Sequence, residues 1–268
     1  MTPLHIALIG TIAYMAAALL LARSLASEGR PASFPARLLA TAAVAAHFTF
    51  HGVSFHLAHG LDVHFFAALS EVALVMALIE LALAGMNPMR PLGLVVFPVA
   101  AACPMLDGWL GTPTPTPAAQ GWQITLHVVL ALFAFALLSI AALVALMLAI
   151  QERALRNRQF GGIAAWMPAL TVTEALLFQL IGTGFALLTL ALATGAMFVE
   201  DLLGQHHAHK TVFSILAWLV FGALLYGRWR HGWRGERAAR LALAGMVVLA
   251  IAFLGSKFVL ELVLHRVA

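Results

Sequence analysis

Eight separate runs of roughly twenty mostly apolar residues leave this chain few ways to fold. They cover about residues 3–22, 36–57, 63–84, 91–107, 123–150, 170–199, 211–227 and 239–262. A helical run of that length matches the hydrocarbon thickness of a bilayer. In lipid every backbone N–H and C=O must be bonded within the protein, and a continuous apolar run meets that demand as a helix. The expectation is an all-α polytopic membrane bundle of about eight transmembrane helices. Composition agrees: of 268 residues, 63% are hydrophobic and 10% charged, against about 25% charged in a soluble domain.

The basic residues set the topology. With the N-terminus outside, the inner loops hold Arg23, Arg30, Arg37, Arg90, Arg153, Arg156, Arg158, Arg228, Arg230, Arg234, Arg237 and Arg240. Only Lys210, Lys257 and Arg266 then fall on the outer side. That asymmetry fits the positive-inside rule and puts both termini on the outer, periplasmic side of a bacterial inner membrane. Residues 1–21 carry no Lys or Arg, so they read as a retained first helix rather than a cleaved signal.

The spans and their turns use up the length, and residues 1–268 read as a single transmembrane domain. The net charge of +4 is a topology signal, which excludes a nucleic-acid partner and leaves the bilayer as the first one. Cys103 is the single cysteine, so an internal disulfide, a CxxC pair and a CxxCH haem-attachment motif are all excluded. The sequence has no nucleophile motif, phosphate loop or HExxH, and the chain reads as a non-enzyme.

Twelve histidines in so apolar a chain are the main anomaly. His5, His56, His59, His64, His127, His206, His207, His209 and His265 fall near the outer ends of the spans. Such imidazoles can ligate haem iron, bind another metal, sense pH or anchor at the interface. His47 and His51 lie inside the second span, four apart and so on one helix face. They can chelate one small ion, but they cannot supply both axial ligands of one haem. Glu71, mid-membrane in the third span, is a candidate partner for either. Lys257 and Glu261 read as an i,i+4 pair. Gly182, Gly184 and Gly195 read as close helix packing.

The last third contains K-T-V-F-S-I-L-A-W-L-V-F (210–221), G-W-R-G-E-R-A-A-R (232–240) and A-F-L-G-S-K (252–257). Ahead of these stand M-P-A-L-T-V-T-E (167–174) and G-F-A-L-L-T-L-A-L-A-T-G (184–195). These segments resemble the cytochrome c assembly membrane family, which includes the CcsA, CcmC and HemX-like proteins. The likeness is greatest to the short YpjD-like inner-membrane branch. The resemblance implies a haem-handling bundle with haem as cofactor, held near the outer face by two histidines. By that resemblance His127 matches the first, His265 falls close to the second, and Trp218, a candidate cofactor-binding residue, matches the tryptophan that follows the family's tryptophan-rich segment. His47 would support a site within the bundle. Cytochrome c maturation components or haem-biosynthesis enzymes are the implied partners. Two departures stand out: the family's tryptophan-rich loop is replaced by D-L-L-G-Q-H-H-A-H-K (201–210), and its intramembrane histidine is Tyr226. Two other readings remain open. One is a metal-ion or small-solute transporter using His47, His51 and Glu71. The other is a regulatory scaffold for haem biosynthesis.

Overall fold

The computed structural model describes residues 2–26, 34–58, 64–84, 90–111, 121–158, 167–198, 208–255 and 258. All secondary structure among them is helical: α1 (Pro3–Ala26), α2 (Phe34–Ala58), α3 (Phe65–Ala84), α4 (Gly93–Leu110), α5 (Trp122–Arg156), α6 (Leu170–Phe198), α7 (Ala208–His231) and α8 (Gly235–Ala250). A 3-10 turn, Arg90–Leu92, leads into α4, and a π turn, Ile251–Gly255, extends α8. Among the described residues eight helices are long and apolar enough to cross a membrane, one for each run read from the sequence.

Two compact units make up the chain, residues 1–119 and 120–268. In the first, α1 packs on α2 and α4, and α3 packs on α4 and α2. Small side chains let these backbones approach. The buried stripe of α1 is Ala7, Gly10, Tyr14, Ala17, Ala18 and Leu21, spaced three and four apart along one face. Large apolar side chains point the other way, as Ile12 does at 61% exposure, which is where lipid replaces water as solvent.

In the second unit α5 packs on α6 and α8, and α7 packs on α6 and α8. At 35 residues α5 is roughly 50 Å long, more than the hydrocarbon core needs. Its last turns leave the apolar run and carry Arg153 and Arg156. Buried Gln151 donates from Nε2 to the Pro168 carbonyl at 2.7 Å, tying the end of α5 to the approach to α6.

The turn between α7 and α8 explains the G-W-R-G motif. Gly232 (φ 65°) and Gly235 (φ 57°) both take left-handed conformations that favour glycine. Trp233 folds its ring onto Gly227, where any Cβ would overlap the indole. Arg228 donates from Nη1 to Glu174 at 2.9 Å, and its guanidinium lies 4.5 Å from the centre of the Phe178 ring. Arg237 covers Trp233 at 4.0 Å. The motif is therefore a packed turn that locks α6, α7 and α8 at one end. Arg228 and Arg234 both face Glu174, and Arg156 faces Glu236 at 3.1 Å, so several topology arginines also hold the turn.

Candidate functional site

His127 is the sixth residue of α5, half-buried against α6. Its Nδ1 lies 2.8 Å from the Ala191 carbonyl oxygen and 3.3 Å from Thr194 Oγ1. A carbonyl only accepts, so Nδ1 must carry the proton and donate it. The neutral ring then keeps its lone pair on Nε2, which has no hydrogen-bond partner among the described residues. The Thr194 hydroxyl is turned to its own helix, 2.8 Å from the Leu190 carbonyl and 3.0 Å from that of Ala191, which leaves its oxygen to accept from His127.

Gly195 makes this contact possible. A Cβ there would stand 2.9 Å from His127 Cε1 and 3.3 Å from Nδ1. Gly184 has the same function about three turns earlier, where a Cβ would meet Leu138 at 2.8 Å. Gly182 differs from the expectation: nothing lies within 4 Å of its would-be Cβ, because it points away from the α5 face.

Trp218 also docks on α6. Its indole N–H donates to Thr189 Oγ1 at 2.9 Å and its ring stacks on Phe185 at 5.4 Å. Thr189 and Ala191 are two residues apart, about 200° around the helix. Trp218 and His127 therefore grip opposite sides of α6 rather than one cavity. His59, His206, His207 and His265, with Lys257 and Glu261, lie outside the described residues.

The first unit holds a second polar cluster. His47 (1% exposed), Tyr14 and Ser70 (both 0%) are buried together, with half-buried His51 beside them. Tyr14 Oη lies 3.4 Å from His47 Nδ1. Ser70 Oγ lies 3.0 Å from Nε2 of His47 and 3.0 Å from Nε2 of His51. The two imidazoles stack at 5.2 Å, as their i,i+4 spacing requires. The nitrogens that a chelated ion would need converge instead on one hydroxyl, that of the residue beside Glu71. The sequence pointed to the histidines; it carried no signal for Ser70 or Tyr14, which are ordinary residues in apolar helices until something meets them.

At the end of the first unit, His64 Nε2 lies 3.0 Å from Asp107 Oδ1, both nearly buried. Gly111 closes over the pair: a Cβ there would meet the Asp107 carbonyl and lie 2.6 Å from His64 Nε2. His64 is one of the span-end histidines, and nothing in the sequence marks Asp107 as its partner.

The family model described as "Cytochrome C assembly protein" matches residues 5–264. The chain belongs to the cytochrome c assembly protein family. It is 35% identical over 178 residues to inner membrane protein YpjD of Escherichia coli K12, covering 65% of this chain and 67% of that protein. It is 28% identical over 159 residues to the cytochrome c biogenesis protein CcsA of Guillardia theta, 53% of each chain. An 80-residue stretch is 39% identical to CcsA of Trichormus variabilis, covering 29% of this chain and 23% of that protein. No solved structure matches. The eight spans and the relationship to YpjD together give a multi-pass inner-membrane location for this family member.

Proposed function

We propose that this chain handles haem in cytochrome c assembly, with His127 as an iron ligand near the outer face. The family supports the haem-handling class, and relatives named as cytochrome c biogenesis proteins support the process. One observation carries the assignment of His127: its Nδ1–H is fixed to the Ala191 carbonyl while Nε2 is left with an open lone pair. Metal-bound imidazoles characteristically donate their other N–H to a carbonyl or carboxylate, which fixes the tautomer and orients the ring. The donor set at His127 fits a haem iron on this test.

His265 is proposed as the second ligand, giving a bis-imidazole pair. When bound, the haem would supply the iron chemistry and redox capacity. The chain's own residues do the rest. His127 presents Nε2, Ala191 and Thr194 hold the ring, Gly195 admits it, and Trp218 braces α6 from the far side. The action is binding and passing on a cofactor rather than turnover of a substrate. The partners are a haem source and cytochrome c maturation components. His47 has both ring nitrogens in hydrogen bonds and takes no part in ligation in this proposal.

The test is a visible spectrum of the full-length protein purified in mild detergent from haem-replete cells, oxidised and then reduced with dithionite. A sharp Soret band with resolved reduced bands is expected. His127→Ala and His265→Ala should each strip most of the haem, and His209→Ala should keep it. Equal haem content in all three variants refutes the ligand pair. A spectrum without haem bands in the wild type refutes the whole proposal.

A further inference from the structure

We propose that Tyr14, His47, Ser70 and His51, continued past Phe97 to Glu80, form a proton-transfer path through the first four-helix unit. The proposal is independent of haem, and none of its residues belongs to the ligand set proposed above.

The starting point is the chemistry of the shared hydroxyl. A serine oxygen has one hydrogen, so it can donate to only one of the two imidazole nitrogens that face it. The other nitrogen must donate to it. The cluster consequently has two complete hydrogen-bond sets of opposite sense. In the first, His51 Nε2–H donates to Ser70, Ser70 O–H to His47 Nε2, and His47 Nδ1–H to the Tyr14 oxygen. In the second, Tyr14 O–H donates to His47 Nδ1, His47 Nε2–H to Ser70, and Ser70 O–H to His51 Nε2. All three links are spanned by the distances, at 3.0, 3.0 and 3.4 Å.

These two sets differ by the passage of one proton. A proton arriving on the half-buried His51 ring displaces the Nε2 proton to Ser70. Ser70 passes its own proton to His47 Nε2, His47 passes its Nδ1 proton to Tyr14, and Tyr14 releases its hydroxyl proton onward. One proton enters and one leaves, no electrons move, and every heavy atom stays in place. Rotation of the hydroxyls and return of the imidazole tautomers restores the first set. Imidazole and hydroxyl groups are the side chains that both donate and accept, and here only such groups are joined in series.

The acceptor beyond Tyr14 is Glu80. It is 1% exposed, and its Oε2 has no hydrogen-bond partner among the described residues. A buried carboxyl left in that state calls for an explanation. Phe97 connects the two groups in space. Its ring stacks on Tyr14 at 6.0 Å between centroids. Its Cε2 and Glu80 Oε1 both stand 2.9 Å from the point where Gly93 would carry a Cβ. The missing side chain of Gly93 is thus the space that the carboxyl and the ring share. Ser70 and Glu80 are ten residues apart on α3, roughly 15 Å along its axis, so the path runs lengthwise through the unit. Arg37, exposed in the first turn of α2, is within electrostatic reach of the Glu80 carboxyl. Phe97 is the gate: Tyr14 reaches Glu80 when the ring gives way and water bridges the gap.

The experiment uses the full chain reconstituted in vesicles of phosphatidylcholine and phosphatidylglycerol that hold a trapped pH-sensitive dye. A potassium gradient with valinomycin sets the driving voltage. The wild type should change internal pH several-fold faster than protein-free vesicles, and Phe97→Ala should be faster again. Tyr14→Phe keeps the ring stack and removes only the hydroxyl, and it should fall to the protein-free rate. Ser70→Ala and Glu80→Gln should do the same, each checked for a monodisperse elution profile. Gly182→Ala, where nothing lies within 4 Å of the would-be Cβ, should keep the wild-type rate, and haem-loaded and haem-free preparations of the wild type should share one rate, which separates this result from the haem test. Wild type and Phe97→Ala both at the protein-free rate overturn the proposal. So does a wild-type rate in folded Tyr14→Phe or Ser70→Ala.

Discussion

Gly195→Ala isolates the physical claim behind the His127 assignment without touching a ligand. The new Cβ would start 2.9 Å from His127 Cε1 and 3.3 Å from Nδ1. Carbon atoms rest at about 3.5–4.0 Å, so the imidazole must retreat by roughly 0.6–1 Å. The Nδ1 contact to Ala191 is 2.8 Å long and lies in the same direction. That retreat lengthens it past the range of a good hydrogen bond. Losing the bond costs about 0.5–1.5 kcal/mol, and overpacking adds about 1–3 kcal/mol. The gain of about 1 kcal/mol from replacing a helical glycine by alanine offsets part of this. Outer-shell partners of a metal-bound imidazole are worth roughly 10–100-fold in affinity. Haem titration of apoprotein, followed at the Soret band, should therefore show binding weakened by that factor. Gly182→Ala is the matched control, since nothing lies within 4 Å of its would-be Cβ. It should bind haem as the wild type does and melt at the same or a slightly higher temperature. Wild-type haem affinity in Gly195→Ala would refute the idea that the α6 backbone orients the ligand.

Three further outcomes follow from the packing. Gly227→Ala places a Cβ inside the Trp233 indole, so the α7–α8 turn must open. A loss of about 1–3 kcal/mol is expected and is read as an earlier thermal transition by circular dichroism. Glu174→Gln takes the charge partner from Arg228, which is held at 2.9 Å and 29% exposed, and should cost about 1–2 kcal/mol in the same assay. Adding salt should close little of that gap, because the pair is half-screened by protein rather than solvent. Trp218→Phe keeps the stack on Phe185 and removes the N–H bond to Thr189. It should leave the Soret position unchanged and lower haem retention only mildly, a result read from the haem-to-protein absorbance ratio after repeated washing.

The fold was legible because lipid makes run length itself the signal. An apolar stretch that fits the bilayer has one economical backbone solution, and the described residues of each of the eight stretches adopt it. The ends were less legible. Apolarity stops at Ile150, yet α5 continues to Arg156. Gln, Glu, Arg, Ala and Leu are good helix formers, so the helix persists where the membrane no longer demands it. The boundary between the two compact units, at residues 119 and 120, falls just after T-P-T-P-T-P (112–117), a Pro-rich connection between the fourth and fifth spans that reads as a linker only once the two units are seen. Glycines divided in the same way. Gly184 and Gly195 face α5 and Gly182 does not, a distinction set by helix phase rather than by residue type.

Histidine is legible in an apolar chain because it is out of place; what it does is decided by partners that carry no signature. His127 and His47 lie in helices of the same kind, and composition cannot separate them. At His127 one nitrogen is committed to a backbone carbonyl, an acceptor present at every residue, and the other is open. At His47 both nitrogens are committed, to a tyrosine and to a serine that are unremarkable in sequence. An imidazole with one bonded nitrogen is a ligand held ready; an imidazole bonded at both ends is a link in a chain. The proposed cofactor role therefore rests on the second unit, where the open nitrogen is. The first unit holds the linked imidazoles and hydroxyls on which the proposed proton path rests.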